Sequence, residues 1–532
     1  MASHGGRTKE RAVGIKMGSN IQLGSFKKDK ALRSRSVNFT GGWLIKKPEI
    51  EKRLYLIISD IVAMMLCVVL GYYLAGAARK LWLPEIPSLP VDAAVMQFPL
   101  LFGVPFLLIV LLSEHLGHYN RFKPFWDEYA DYLMALAVVA GVSTFYLFFT
   151  KTQISRSWIG AVWLLAAFLV PIARVMTKRI LMLKGRWFED VVVIGSGRNA
   201  LEAALAIESN ILMGFRVRSL IEPKRVGVDL PQAREIKDFL SGENVRYPVV
   251  ALETDCSSQL EKMGWPYVVL ALDYEDYVER RQMVQRIMAE HPTMSVIPPI
   301  KGMPLVGAEI SPIFRHEVLH LRIKNNLARR LPRLVKRGFD FLASLVLLLV
   351  LSPILLVLGW MVRQDGGPAV FSQERVGKGG KIFKCHKFRT MRVDAEKILK
   401  ELLESDEQKK LEWERERKLR DDPRITAIGE FLRKTSLDEL PQLVNVLKGE
   451  MSLVGPRPVT ESELSRYGDQ VGYYYQTPPG ISGLWQISGR NDIDYETRVT
   501  LDSWYVRNWS LWYDLVILFK TVRVVFRGSG AY

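Results

Sequence analysis

Two adjacent carboxylates, Asp438 and Glu439, have the residue types and spacing that most directly suggest chemistry in this chain; they lie in the stretch RKTSLDELPQL. Adjacent carboxylates repel each other, and burial raises the pKa of one of them until it loses its charge, unless cations or a helix N-terminus keep both ionised. Both conditions are predicted here, because Arg433 is close in sequence and Pro441 is tolerated only in the first turn of a helix. We therefore expect an ionised pair at the start of a helix.

A simpler interpretation is structural, since Ser436 and Glu439 have the spacing of a capping box. The surrounding segments add polar residues that a cap does not need. Arg457 stands between two prolines, which restrict its backbone and suit an arginine directed at a phosphate. The other candidate ligands are Lys387, Arg389, Arg433, Gln486 and Arg490. Each alone is typical of a surface side chain, but together with two carboxylates they predict a phosphate or diphosphate site with a divalent cation, because arginines and metal neutralise charge on oxygen.

The length and charge of the chain limit the kinds of folded unit that can position these residues. A chain of 532 residues is too long for one ordinary core, so two or three folded units are expected. Residues 1–53 carry 13 Lys or Arg against 4 Asp or Glu, within a total net charge of +17. Because this basic tail abuts an apolar segment, it favours an anionic membrane surface and not a nucleic acid as partner. The three cysteines lack CxxC spacing, so neither a disulfide framework nor a zinc site is indicated.

Residues 54–185 contain four apolar runs, each about long enough to cross a bilayer core of roughly 30 Å. The runs cover residues 54–76, 96–113, 129–150 and 158–173. Basic residues follow the fourth run as well as preceding the first; they are Arg174, Lys178, Arg179, Lys184 and Arg186. The excess of positive charge predicts that both flanks are cytoplasmic, which an even number of crossings also requires.

Residues 186–320 have the pattern of an α/β unit. The stretch EDVVVIGSGRNALEAALAI combines a β-branched run, Gly195, Gly197 and an alanine-rich helical segment, which is the strand, turn and helix of a nucleotide-binding unit. The acid expected to bind a ribose could only be Glu222, which directly precedes a proline. We therefore interpret this region as a Rossmann-like domain that binds no dinucleotide.

An uncharged run at residues 342–362 opens the third region, and Ser352 and Pro353 lie at its middle. Proline there removes a backbone hydrogen bond and predicts a sharp bend. Cations flank both ends of the run, which indicates that both ends face the cytoplasm. Two interpretations stay open on hydropathy alone: a re-entrant helical hairpin, or a fifth crossing kinked at the proline.

The motifs of the third region together resemble the bacterial sugar transferase family, the polyprenyl-phosphate phosphoglycosyl transferases. They are F-x-Q-x-R-V-G-x-x-G at 371–380, KFRTM at 387–391, DPRIT at 422–426, RKTSLDELPQL, MSLVGPRP and PGISGLWQISGR. The resemblance covers about residues 330–532. Four preceding crossings and a Rossmann-like domain match the large bacterial members of that family.

The resemblance implies roles for individual residues. Asp438 is similar to the nucleophile that forms a covalent phosphosugar intermediate, and Glu439 to the partner that binds Mg²⁺. The arginines at 433, 457 and 490 resemble phosphate ligands. Ser352 and Pro353 resemble the hinge of a re-entrant membrane helix, which we place at residues 336–363. The expected fold is thus a membrane α-helical bundle, an α/β Rossmann-like domain and an α/β monotopic catalytic domain with a re-entrant helix.

The family resemblance also implies the reaction. A sugar 1-phosphate, with galactose expected ahead of glucose, would pass from a UDP-sugar to undecaprenyl phosphate at the bacterial inner membrane, with release of UMP. This would be the first membrane step of O-antigen, capsule or exopolysaccharide synthesis. The catalytic domain and both termini would be cytoplasmic, and the middle domain could serve a homodimer. Alternatives are a glycosyltransferase that releases UDP, a nicotinamide-dependent sugar-modifying enzyme and a non-catalytic membrane scaffold.

Overall fold

The computed structural model describes most of the chain from residue 47 onward. The described residues are 47–82, 99–120, 123–150, 155–222, 231–238, 244–252, 256–264, 266–291, 294–300, 302–312, 319–416, 419, 422–489 and 493–527. The predicted basic tail therefore lies almost wholly outside the described residues.

The elements are named in chain order. The helices are α1 (Lys47–Trp82), α2 (Val104–His115, entered by a π-helical turn at Pro99–Gly103), α3 (Phe125–Thr150), α4 (Arg156–Leu183), α5 (Arg198–Ser209), α6 (Cys256–Lys262), α7 (Tyr274–Glu279), α8 (Arg281–Glu290), α9 (Arg330–Val362), α10 (Ala395–Ser405), α11 (Glu407–Glu416), α12 (Ala427–Thr435), α13 (Gln442–Lys448), α14 (Glu461–Leu464), α15 (Val471–Tyr474), α16 (Leu484–Ile487), α17 (Tyr495–Arg507) and α18 (Leu511–Arg527). The strands are β1 (Glu189–Ile194), β2 (Phe215–Glu222), β3 (Ala233–Lys237), β4 (Asn244–Ala251), β5 (Tyr267–Leu270), β6 (Met294–Val296), β7 (Glu309–Pro312), β8 (Leu319–Arg322), β9 (Val370–Val376), β10 (Ile382–Phe388), β11 (Ser452–Val454) and β12 (Gly480–Ser482).

Four apolar helices, α1 to α4, form the predicted membrane bundle. Among the described residues, four helices are long and apolar enough to span a bilayer: α1, α3 and α4 of this bundle, and α9 of the third region. Helix α2 is a shorter apolar helix. The side chains that face one another form a buried core that includes Met64, Phe102, Val162 and Ala166, while many other apolar side chains stay exposed. An apolar exterior around an apolar core is what a lipid environment requires.

The bundle also buries an ion cluster. Arg174 Nη2 lies 2.6 Å from an oxygen of Asp60, and Lys178 Nζ lies 2.6 Å from an oxygen of Glu128. Arg174 also donates to Glu128, so the four charges of the two cations and two carboxylates balance. Arg174 and Lys178 are among the cations from which the sequence predicts a cytoplasmic flank, but in the structure both are buried in these ion pairs. That orientation therefore depends on the remaining basic residues after α4.

The middle region is the predicted α/β domain. Its sheet has the order β3-β4-β2-β1-β5-β6 in the described part of the chain. Strand β1 lies between β2 and β5 and is parallel to both, whereas β3 pairs with β4 in the antiparallel sense. Near-continuous apolar sequence in β1 is explained by burial on both faces, since helices cover a parallel sheet on both sides.

Helix α9 opens the third region and runs without interruption through Pro353. Helical structure thus continues on both sides of this residue, and the bend predicted there stays a prediction. Pro353 has no N–H for the carbonyl of Leu349, four residues earlier, and the Ser352 hydroxyl donates to that carbonyl at 2.8 Å instead. This side-chain hydrogen bond gives the freed carbonyl a local partner within the helix.

The rest of the third region packs around α9. Its strands form an antiparallel pair, β9 with β10, and a short parallel pair, β11 with β12. A buried core unites these strands with α13, α17 and α18; it includes Leu443, Val446, Leu453, Tyr505 and Trp509. The strand ends and the turn before α13 place the candidate site residues close together.

Candidate active site

Asp438 and Glu439 lie in a single 3-10 turn, Leu437–Glu439, between α12 and α13. Ser436 precedes this turn with a φ of 57°, the one positive φ outside glycine among the described residues, and it ends α12. A left-handed serine is unfavourable on its own and persists only where its surroundings impose it. Because the Ser436 side chain makes no capping hydrogen bond in this turn, the capping-box interpretation is wrong.

Lys387 faces both carboxylates of the pair and offsets part of their charge. Its Nζ lies 2.7 Å from Glu439 Oε1 and 3.6 Å from Asp438 Oδ2. Burial raises the pKa of the Asp438 carboxyl, the Lys387 ammonium opposes that shift, Glu439 adds to it, and Arg433 opposes it. Burial alone would lower the pKa of Lys387, but the two carboxylates raise it. The predicted need for cations beside adjacent carboxylates is met mainly by this lysine.

Buried polar contacts hold the two carboxylates and the lysine in register. Asn445 in α13 accepts from the backbone N–H of His386 at 3.1 Å and donates to the carbonyl of Lys384 at 2.8 Å, and both residues lie on β10 within three positions of Lys387. From α9, Arg337 donates to the carbonyls of Val446 and Leu447 at the end of α13, each at 2.6 Å. The turn carrying the carboxylates and the strand carrying the lysine are therefore fixed to each other and to α9.

A cleft opens beside this pair. Residues that line it are Arg375, Cys385, Lys387, Glu439, Gln442, Arg457, Pro458, Gly480, Ile481, Trp485 and Gln486. Arg457 follows β11, and its guanidinium lies over the ring of Trp485 at 5.3 Å. Gln486 donates from its amide to the carbonyl of Ile481 at 3.0 Å. Four of the predicted candidates thus line one cleft although they lie far apart in sequence: Lys387, Glu439, Arg457 and Gln486.

The other predicted residues lie elsewhere. Arg433 donates to the Thr390 hydroxyl at 2.9 Å, and its charge acts on Asp438 from behind the turn. Arg389 donates to the carbonyls of Val362 and Pro368 and pairs with Asp365, so it binds the end of α9. Arg490 lies outside the described residues. Arg389 is therefore not brought to the cleft with the other candidates.

Seven of the residues that line the cleft were not among the candidates, and the three of them with nitrogen donors in their side chains are Arg375, Gln442 and Trp485. Arg375 stands in the quoted motif at 371–380 and pairs with Glu463 at 3.4 Å. Gln442 begins α13 and is buried, and Trp485 supports Arg457. A signal for Arg375 was available, because it lies in the motif at 371–380 on which the family resemblance partly depends, two positions before Gly377. An indole that supports an arginine has no comparable sequence signal.

The donor set can be tested against Mg²⁺. Among the described residues no group of three or more His, Cys, Asp or Glu side chains is arranged to hold a metal. Mg²⁺ often takes only one or two protein carboxylates and completes its octahedral shell with phosphate and water oxygens. Asp438 and Glu439 fit that requirement, with the Lys387 ammonium as the cation that already faces them.

The glycine turn of the middle domain has a different electrostatic setting. A Cβ on Gly197 would lie 1.6 Å from Asp273 Oδ2, and the backbone N–H of Asn199 donates to Asp273 Oδ1 at 3.1 Å. The N-terminus of α5 is therefore faced by a carboxylate of the chain itself, at the place where a dinucleotide would put its phosphates. Glu222, the only candidate for the ribose, pairs with Arg234 at 3.3 Å.

The chain belongs to the bacterial sugar transferase family, and its apolar helices agree with a membrane-associated member of that family. That family matches residues 331–528, and a CoA-binding domain family matches residues 114–289. The match and the relatives below confirm the resemblance stated above.

Three relatives show how far the similarity extends. An undecaprenyl-phosphate galactose phosphotransferase of Salmonella typhimurium is 44% identical over 78% of this chain and 85% of its own length. A UDP-galactose-lipid carrier transferase of Erwinia amylovora is 40% identical over 90% of this chain and 97% of its own length. An exopolysaccharide production protein of Sinorhizobium fredii is 51% identical over 37% of this chain, which is 88% of that shorter protein.

Proposed function

We propose that this enzyme transfers galactose 1-phosphate from UDP-galactose to undecaprenyl phosphate, with release of UMP, as an initiating step of bacterial surface-polysaccharide synthesis. The observation that carries the proposal is the Asp438–Glu439 pair held with Lys387 beside a cleft lined by arginines. The named activities of the relatives from Salmonella typhimurium and Erwinia amylovora support galactose as the sugar. Glucose 1-phosphate is the second candidate for the same site.

The reaction divides into two displacements at phosphorus. An Asp438 oxygen attacks the phosphorus that bears the sugar, the bond to the bridging oxygen breaks, and UMP leaves with that oxygen. A phosphate oxygen of undecaprenyl phosphate then attacks the same phosphorus and releases the carboxylate, which yields the lipid diphosphate sugar. Direct attack of one phosphate anion on a diphosphate is slow through repulsion, and two steps let each anion use the same neutralised centre in turn.

The residues of the cleft have separate tasks in this scheme. Lys387 keeps Asp438 ionised despite burial, and the half-buried Arg457 faces the phosphates. Glu439 would hold Mg²⁺, with Asp438 adjacent, and the bound metal would supply counter-charge to the diphosphate oxygens. A fixed set of positive groups of this kind lowers the free energy of charge that develops on oxygen without reorganisation during the reaction.

Contacts along α9 support a helix that enters and leaves the bilayer on one side. Near its start, Lys336 donates to the carbonyl of Val454 at 3.0 Å and Asp340 accepts from the N–H of Leu453 at 3.1 Å. Near its end, the carbonyl of Val362 accepts from Arg389 at 2.9 Å. A helix that crossed a bilayer would separate its ends by about the 30 Å apolar core, yet both ends bind one domain.

This arrangement of α9 supports a cytoplasmic location for the active site. The apolar face of α9 between these anchors is exposed, with side chains such as Leu349, Val350 and Leu356, and would lie in lipid. The catalytic domain and both termini would then be on the cytoplasmic side of the inner membrane, where UDP-sugars are made. A homodimer remains an open proposal, to be tested by the mass of the detergent-solubilised chain.

The experiment for the reaction uses purified enzyme, undecaprenyl phosphate and a panel of UDP-sugars, with the released nucleotide identified by chromatography. UMP release with UDP-galactose is expected, and chelation of divalent metal should stop it. Release of UDP would replace phosphosugar transfer with attack at the sugar carbon. A higher kcat/KM with UDP-glucose would keep the reaction and change the sugar.

The experiment for topology introduces a cysteine at Gly366, just after α9, in a variant otherwise free of accessible thiols. We expect this cysteine to resist a membrane-impermeant thiol reagent in intact spheroplasts and to react after lysis. Equal labelling before lysis would mean that α9 crosses the bilayer, and the cytoplasmic site would have to be abandoned.

A further inference from the structure

Arg457 is one member of a row of alternating guanidiniums and aromatic rings that leads away from the cleft. Its guanidinium and that of Arg498 lie over the ring of Trp485, at 5.3 Å and 4.6 Å. Arg498 also lies 5.6 Å from the ring centre of Tyr495, over which Arg466 lies at 4.8 Å. Only the first two members of the row, Arg457 and Trp485, line the cleft.

The two inner arginines carry more positive charge than their surroundings offset. Within the described residues, neither Arg457 nor Arg498 has a carboxylate at salt-bridge distance. The nearby Asp502 is fully buried and already accepts from the Tyr467 hydroxyl at 2.8 Å and from the backbone N–H of Arg457 at 3.4 Å. Burial raises the pKa of Asp502 to about 7, so at neutral pH its charge only partly offsets the arginines.

Like charges brought close together store free energy that a bound anion releases. Burial lowers the pKa of Arg498, and the charge of Arg457 lowers it further, which is the signature of two cations in each other's field. A free arginine side chain also loses rotamer entropy when it is fixed, and stacking on a buried ring removes part of that loss before the ligand arrives.

We propose that Arg498 is a positioning residue for the donor diphosphate, which acts through Trp485 to hold the Arg457 guanidinium toward the cleft. This inference rests on the proposed function only in that the donor is a nucleoside diphosphate derivative. Arg498 follows the quoted motifs in sequence and was not among the candidates. Its role differs from that of a ligand, because it does not line the cleft.

The test measures equilibrium binding of UDP and of uridine to the full-length chain in detergent. Arg498→Gln is expected to weaken UDP binding about tenfold, within the range of a partly desolvated cation–π pair, and to leave uridine binding unchanged. Arg466→Gln is the matched control: it removes the same charge from the far, exposed end of the row and should change UDP binding by less than about twofold.

A double-mutant cycle separates positioning from a direct contact. In the Arg457→Gln background, Arg498→Gln should have no further effect on UDP binding, whereas an equal loss in both backgrounds would overturn the positioning role. If Arg498→Gln does not yield folded protein by gel filtration, Trp485→Leu tests the same link. Wild-type UDP affinity in either variant would sink the inference even if UMP release by the enzyme is established. A loss of UDP affinity that disappears in the Arg457→Gln background would support it even if the released nucleotide proves to be UDP.

Discussion

The glycine turn of the middle domain and the cleft of the third region both place positive charge where a phosphate could bind, but they differ in what faces that charge. At the N-terminus of α5, the carboxylate of Asp273 fills the space beside Gly197 and accepts from the backbone. In the cleft, Arg457 has no carboxylate at salt-bridge distance among the described residues, and Arg498 behind it has none either. Lys387 faces two carboxylates at once.

The difference teaches what a phosphate site requires beyond its motif. Glycines supply a close backbone approach, and a helix N-terminus supplies a partial positive charge. Neither attracts an external anion once a side chain of the same protein has taken the position. In the cleft, by contrast, charge stays available, and buried contacts such as those of Asn445 and Arg337 keep it there. The predictions below test each half of this comparison.

The largest effect is expected at Asp438. Asp438→Asn keeps the shape of the side chain but removes the nucleophile, so UMP release should fall by a factor on the order of 10⁴ or more, with the protein folded and membrane-bound. Rates with UDP-galactose, compared at equal amounts of monodisperse protein, give the measurement. Near-normal UMP release by this variant would end the nucleophile assignment.

Much of the cleft could be predicted from the sequence because its residues stand in short motifs with restricted backbones. Proline on both sides of Arg457 and proline after the carboxylate pair are local signals, and Lys387, Glu439, Arg457 and Gln486 do meet. Arg389 could not be separated from them, since a basic residue two positions from Lys387 looks equivalent until the fold directs it toward Val362.

The misjudged elements depend on tertiary contacts. The bend predicted at Pro353 is a different case and stays a prediction: the Ser352 hydroxyl donates to the carbonyl that proline leaves free, and helical structure continues through the residue. Ser436 has capping-box spacing, but its left-handed backbone ends one helix and does not cap the next. Arg174 and Lys178 read as flanking cations because their partners, Asp60 and Glu128, come from distant segments.

The next effect concerns the acid limb of the pH profile. Asp438 must be ionised to attack, and burial raises its pKa, so turnover should fall as the pH drops through that raised value. Lys387→Met removes a cation that lowers this pKa, and the acid limb should therefore move to higher pH. Lys384→Met is the control, because residues three apart on β10 point to opposite faces.

Profiles of kcat against pH for the three proteins give the measurement. An acid limb that stays in place in Lys387→Met would mean that the lysine serves only the phosphates. An equal displacement in Lys384→Met would assign the effect to net charge, and the specific contact with the carboxylates would lose its support.

A smaller effect is expected when the middle domain is removed. The relative from Sinorhizobium fredii matches 37% of this chain over 88% of its own length, so a protein little larger than residues 331–528 exists in nature. A fragment of residues 321–532 should retain measurable UMP release in detergent. The fragment lacks the hydrogen bonds that Asn508 Oδ1 accepts from the backbone N–H groups of Leu305 and Val306. Each contributes about 1 kcal/mol, so their loss lowers the stability of the fragment more than its catalytic rate.

The fragment carrying Asp438→Asn is the control for contaminating activity. If the fragment folds and binds membranes but releases no UMP, the catalytic unit is larger than residues 321–532. The middle domain would then have a part in the chemistry that its closed glycine turn does not suggest.

The smallest effect is expected at Asp273. Asp273→Asn keeps an oxygen for the N–H of Asn199 but removes a negative charge from the N-terminus of α5, which costs about 0.3–1 kcal/mol of local stability. Amide hydrogen exchange in α5 should become faster while UMP release stays unchanged. Asp190→Asn is the control: it alters an exposed ion pair with Arg216 in the same domain, which contributes little stability.

The wild-type chain should show no saturable binding of CoA or NAD, since the Asp273 carboxylate occupies the place where their phosphates would bind. Binding of either by the wild type would mean that Asp273 gives way to a ligand, and the contrast between the closed turn and the open cleft would then be one of affinity and not of kind.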